Sequence, residues 1–125
     1  MGIDDISSQV LACAFKVHTE LGPGLLESAY QACLHYELLQ AGLIVEREKP
    51  LPLVYKEVHL DCGYRIDLLV EKQFIIELKA VDAIAPIHLA QVLTYLKLSN
   101  LRHGLILNFN VKSLKNGIKR VVNGY

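Results

Sequence analysis

The sequence predicts an α/β fold, a mixed β-sheet flanked by α-helices. Two stretches with apolar residues at helical spacing open the chain, and a third recurs in its second half. The intervening and following segments are short, rich in β-branched residues and broken by turn formers. A length of 125 residues suits one compact domain, taken as 1–125, that buries a core without disulfide or metal staples.

Asp4, Asp5 and Ser7 are good helix-start residues, and Ile6, Val10, Cys13, Ala14, Val17 and Leu21 recur at helical spacing. Gly22-Pro23-Gly24 stops that helix, because proline cannot continue it and glycine accepts left-handed turns. A second helix is expected over 25–40, with Leu26, Ala29, Cys33 and Leu34 toward the core and Gly42 beyond its end. From Val45 the period shortens. Val45-Glu46-Arg47-Glu48-Lys49 alternates, and Leu53–Tyr55 and Val58–Leu60 flank a turn at Lys56-Glu57. Residues 64–70 and 74–80 read as a hairpin around Glu71-Lys72-Gln73. Pro50 and Pro52 make the first strand irregular or an edge. Pro86 opens a third helix reaching Ser99; 105–109 is a buried-strand pattern and 117–122 a last strand.

Composition narrows the function classes. The N-terminus is acidic where a signal peptide would be basic, and no apolar run approaches membrane-spanning length, so a cytoplasmic protein with no membrane partner is expected. Cys13, Cys33 and Cys62 are odd in number and lack zinc-site spacing; the first two read as small core residues. The 13 basic and 13 acidic side chains cancel, but every Asp and Glu lies at or before Asp82. Beyond it only Lys97, Arg102, Lys112, Lys115, Lys119 and Arg120 are charged. Such asymmetry is compatible with a phosphate-binding surface and equally with scattered, solvated cations.

The chemistry concentrates in the 64–80 hairpin. Strand side chains alternate, so Glu77 and Lys79 share one face. If Val70 pairs with Phe74 across a three-residue turn, Asp67 stands opposite Glu77; a two-residue turn would put the two acids on opposite faces. Side-by-side carboxylates repel unless a cation joins them, and with a backbone carbonyl they make an all-oxygen site suited to Mg²⁺ or Mn²⁺. Lys79 would orient or deprotonate an attacking water, or steady developing charge. The competing reading is an ordinary Glu77–Lys79 ion pair beside a turn-proximal acid. Charges inside otherwise apolar strands favour the functional reading, because they need a partner or a ligand.

Asp67 followed by Glu77-x-Lys79 resembles the D…(D/E)xK signature of the PD-(D/E)XK phosphodiesterase superfamily. Gln91-Val-Leu-Thr-Tyr95 resembles the QxxxY helix of its RecB-like branch, and Gly24-Leu-Leu-Glu27-Ser-Ala-Tyr30 the motif of the small GxxExxY family. The likeness runs in order through Leu107-Asn-Phe and Lys119-Arg120-Val. Ile66, not proline, precedes Asp67, a departure at a loose position of the signature. The resemblance implies a restriction-endonuclease-like core. It also implies metal held by Glu27, Asp67, Glu77 and the Leu78 carbonyl, with Lys79 assisting the water and Gln91 and Tyr95 supporting the geometry. Glu27 would serve otherwise as a helix-dipole partner, and Tyr95 as a core tyrosine satisfied by Gln91. His88 joins that helix face without a metal role.

The implied activity is Mg²⁺- or Mn²⁺-dependent hydrolysis of nucleic-acid phosphodiester bonds, with DNA favoured over RNA. Arg65, Lys97, Lys112, Lys115, Lys119 and Arg120 are candidate phosphate contacts, which position a strand without reading it. So short a chain has a small footprint, which a homodimer or a partner protein would extend. Two other readings stand beside it: a non-catalytic module binding nucleic acid or a partner, and a metal-dependent hydrolase of a smaller phosphoester.

Overall fold

The computed structural model describes residues 1–124. Helices α1 (Ile3–Leu21) and α2 (Glu27–Gln40) come first. Strands β1 (Val45–Pro50), β2 (Leu53–Tyr55), β3 (Val58–Leu60), β4 (Arg65–Val70) and β5 (Phe74–Lys79) follow, then α3 (Pro86–Ser99), β6 (His103–Asn108), a 3₁₀ turn at Leu114–Gly117 and β7 (Ile118–Val122). Five strands form one mixed sheet in the order β1-β4-β5-β6-β7, and β2 and β3 make a separate hairpin. The α3 crossover makes β5 and β6 parallel; the other neighbouring strands are antiparallel. The chain is thus a mixed sheet with helices on both faces, consistent with a restriction-endonuclease-like fold.

Each face of the sheet buries its own cluster. Ile6, Val10 and Ala14 of α1 and Tyr30, Leu34 and Leu38 of α2 pack on Leu68, Val70, Phe74, Ile76, Leu78, Leu105 and Leu107. Val92, Tyr95 and Leu96 of α3 pack on Leu69, Ile75, Ile106 and Val121. Strand alternation therefore turns Glu77, two residues after Ile75, toward α3. Gly104 lets α3 sit close, because a Cβ there would lie 3.1 Å from Val92 and 3.3 Å from the Ile75 carbonyl.

Two details depart from the sequence expectation. The second helix begins at Glu27, because Leu26 is still extended (φ −73°, ψ 151°). Leu26 is then 76% exposed and off the core stripe, which runs through Tyr30, Gln31, Leu34 and Leu38. Tyr30 sets this phase: its ring stacks on Phe109 at 4.6 Å and is fully buried. None of Cys13, Cys33 and Cys62 is in a disulfide, and Cys13 is a buried core residue as expected.

Candidate active site

The 70–74 turn sets everything that follows. Val70 pairs with Phe74 across three residues. Glu71 and Lys72 take φ of 54° and 58°, and Gln73 N–H closes the turn on the Val70 carbonyl at 3.0 Å. Positive φ at successive turn residues matches the twist of the flanking strands. The register is also held from β1: Glu71 N–H donates to the Ile44 carbonyl (2.8 Å), and Ile44 N–H donates to Glu71 Oε2 (2.6 Å).

The β4–β5 ladder runs to the Leu68–Ile76 pair, and one step further Asp67 meets Glu77. There the side chains replace the ladder. Asp67 N–H donates to Glu77 Oε1 (3.2 Å), and Leu78 N–H donates to Asp67 Oδ2 (2.8 Å). Because a strand residue sends its N–H and C=O to the same side, the Leu78 carbonyl points toward Asp67 as well. The result is two carboxylates and a carbonyl on one strand end, a donor set that fits a hard divalent cation.

Electrostatically the pair is only partly compensated. Burial, then the charge of Asp67, pushes the Glu77 carboxyl from its usual 4.5 up to about 8. Burial also raises Asp67, while the Leu78 N–H opposes that rise. Lys79, half-buried at the end of β5, favours the charged form of both. This is the balance that a cation between the carboxylates would tip.

Lys79 is held from β6. Phe109 N–H donates to the Lys79 carbonyl (3.0 Å). Asn108, paired with Lys79 in register, clasps Val81 through both ends of its amide (3.1 and 2.9 Å). Gly117 packs so close to Asn108 that any Cβ would fall inside its carbonyl oxygen. The side chain of Asn108 was given no role of its own from sequence; the signal that could have found it is an asparagine in an otherwise apolar strand.

Glu27 sits in the exposed first turn of α2, on the far side of the sheet from α3. Its negative charge reaches Asp67 and adds to the rise there. Yet among the described residues no three His, Cys, Asp or Glu side chains gather as a metal cage. Glu27 approaches the sheet end from the layer of α1 and α2, opposite α3. Tyr30, three residues after Glu27, is buried. Its hydroxyl donates to the Gly22 carbonyl (2.6 Å) and accepts from Leu25 N–H (3.1 Å), fastening the turn that leads into Glu27. Tyr30→Phe should cost about 1–3 kcal/mol in denaturant unfolding, because it strands both backbone groups.

From α3, Tyr95 is buried (7% exposed), and its phenol is pushed up by burial and then by the charge of Glu77, with Asp67 adding to it. Gln91, one turn earlier, is exposed and lines the same groove as Tyr95 and Tyr64. His88 caps the helix, its Nδ1 accepting Ala85 N–H at 3.0 Å. His18 Nε2 donates to the Val111 carbonyl (2.7 Å), tying α1 to the loop after β6.

The basic residues do not form one patch. Lys119 and Arg120 are neighbours on β7 and point to opposite faces. Arg120 donates to Ser7 of α1 (2.9 Å) and is turned away from the Glu77 face. Lys97 lies in the exposed last turn of α3. Lys112 and Lys115 follow β6 at the sheet end where β5 delivers Lys79. Arg65, exposed two residues before Asp67, donates to the Tyr64 carbonyl (2.8 Å). Arg47 was not read from the sequence; its Nε donates to the buried Gln31 of α2 (2.7 Å), one turn from Glu27.

A carboxylate pair with an adjoining lysine on a β-hairpin end, backed by a helix from the crossover, is the arrangement to which a known family corresponds. The family description of the PD-(D/E)XK nuclease superfamily matches residues 4–121. The chain belongs to that superfamily. Curated proteins and solved structures returned no match. The superfamily assignment makes a nuclease-type function, and nucleic-acid binding in general, the coarse reading of the fold. Its members typically use divalent metals, in keeping with the all-oxygen donor set. No helix among the described residues is long and apolar enough to cross a membrane.

Proposed function

We propose that this chain is a Mg²⁺- or Mn²⁺-dependent nuclease of the GxxExxY family, in the RecB-like branch, hydrolysing phosphodiester bonds of DNA in preference to RNA. The observation that carries the reading is the Asp67–Glu77 pair. Its two carboxyls are cross-linked through backbone N–H groups and buried enough to hold Glu77 near a pKa of about 8. Such a pair is costly to keep without a charge to balance it.

A bound divalent cation would lower the pKa of its water and neutralise charge on the phosphoryl group. Asp67, Glu77, the Leu78 carbonyl and Glu27 would hold the cation. Lys79 orients the attacking water and takes or steadies its proton. Tyr95 and Gln91 keep the wall beside Glu77 in place and hold a phosphate oxygen. Arg65, Lys112 and Lys115 steady the backbone on either side of the cut; Lys97 and Lys119 lie further out. The protein works in the cytoplasm, as a homodimer or with a partner that widens its grip.

The test is cleavage of supercoiled DNA, single-stranded DNA, RNA and a mononucleotide, each with Mg²⁺, Mn²⁺ or EDTA. Wild type should cut nucleic acid only with metal, and Glu77→Ala should cut nothing. If the two behave alike on every substrate, the nuclease reading fails. Salt-dependent binding without cleavage would favour a binding module, and cleavage of the mononucleotide alone a small-phosphoester hydrolase.

A further inference from the structure

A groove of about 380 Å³ runs along α3, lined by Leu53, Tyr64, Ile87, Gln91, Tyr95 and Leu98. We propose that it receives the base of an unpaired nucleotide next to the scissile phosphate, so that the substrate is single-stranded or locally unpaired nucleic acid. This inference rests on the nuclease reading for the phosphate and names the substrate class that the site takes.

Three observations carry it. The groove lies on the face of the sheet toward which Glu77 turns, because Tyr95, which forms part of its wall, packs there with Ile66 and Ile75. Its aromatic surface is open: Tyr64 is 42% exposed and stands 6.2 Å from Tyr95, ring to ring, tilted by 56°. An exposed tyrosine face is a stacking platform that every base accepts. The rim combines an apolar side, with Ile87 70% exposed, and the amide of Gln91, which offers both a donor and an acceptor to a base edge.

Size and charge narrow the occupant. The volume lies at the small end of ligand pockets, enough for a base and too little for a duplex. A paired base has both faces stacked and its pairing edge occupied, so entry requires unpairing, at a cost of a few kcal/mol unless the strand is already single. Arg65, next to Tyr64 in the chain, supplies a cation for the adjoining phosphate. A single amide pairs with many base edges, so little sequence preference is expected at this position.

Two measurements test the inference. In the first, wild type cleaves single-stranded oligonucleotides carrying either a normal or an abasic nucleotide beside the cut. Losing the base should lower kcat/KM roughly 10- to 100-fold, the span of one base–aromatic stack. Tyr64→Ala should erase that difference and Tyr64→Phe should keep it. Equal cleavage of the two substrates by wild type overturns the pocket and leaves the nuclease reading intact. The second needs no catalysis: Glu77→Gln protein is titrated with a single strand containing 2-aminopurine. Stacking should quench its fluorescence, and Tyr64→Ala or Ile87→Glu in the same background should restore it. Ile87 is so exposed that its replacement leaves the fold in place. Binding with unchanged fluorescence overturns the proposal. Quenching by a protein that cuts no substrate supports the pocket and sinks the nuclease reading instead.

Discussion

Glu77→Gln should make the metal-free protein more stable than wild type at pH 8 and leave it unable to cleave. In the folded state burial and Asp67 hold the Glu77 carboxyl up at about 8, against 4.5 when unfolded. Between those values the native protein binds a proton that the unfolded chain has released. Stability therefore falls as pH rises through this window, and is flat above it. The full contribution is present below about 4.5 and gone above about 8. Asp67, raised by burial in the same way, acts in the same direction.

Glutamine keeps the acceptor for Asp67 N–H, offers its amide to the Asp67 carboxylate, and has no proton to lose. The melting temperatures of wild type and variant should coincide near pH 4.5. They should diverge to on the order of 2–4 kcal/mol by pH 8, or roughly 5–15 °C. Saturating Mg²⁺ or Mn²⁺ should raise wild type and close much of that gap, because a ligand that binds only the folded state stabilises it. A gap that stays constant from pH 5 to 8 would show that the carboxylate pair is not strained. The variant thus exchanges function for stability at one atom, as expected where a site is built from buried charge.

Lys79→Met should reduce cleavage by about 10²–10⁴-fold, the usual yield of a positioned acid–base group. Methionine matches the length of the lysine stem and removes the charge, so packing at the end of β5 is retained. A second consequence separates a chemical role from a structural one. Lys79 favours the charged forms of Asp67 and Glu77. Without it both carboxyls titrate higher, and the residual activity should shift its acid limb to higher pH. The measurement is a pH–rate profile in Mn²⁺ alongside single-strand binding. A tenfold loss or less with an unmoved profile would remove Lys79 from the chemistry. Lost binding with an unchanged rate at saturation would make it a phosphate contact only.

The hairpin was legible in the sequence because its geometry is local. Alternation placed Glu77 and Lys79 on one face, and turn length alone decided whether Asp67 met Glu77. The sequence left that turn length open, and Glu71 settles it by bonding to Ile44, 27 positions away. The helices were legible for a similar reason: proline and glycine at 22–24 and Pro86 act on their own backbone. The start of α2 was read two residues early, since Leu25 and Leu26 look helical until Tyr30 anchors the turn against Gly22.

Placement relative to other layers was less legible. Glu27 and Tyr30 are only three apart on α2, yet Glu27 is in solvent and Tyr30 is buried against Phe109. The cations past Asp82 are compatible in sequence with a shared surface or with scattered charges, and Arg120 is spent on Ser7 of α1, 113 positions away. Arg47 and Tyr64 carried no local signal: an arginine in an alternating strand and a tyrosine before another are ordinary until Gln31 and Tyr95 are set beside them.

By itself the sequence determined which segments are helix or strand, and that one hairpin carries two acids and a lysine in an otherwise apolar setting. These follow from periods of a few residues and from backbone rules at single positions. Tertiary structure alone decided that burial raises both acids, that Glu27 comes from the far layer, and that a groove with an open tyrosine lies along α3. Burial and proximity across layers depend on how α2, α3 and the sheet close on one another, and no short window of the chain contains that.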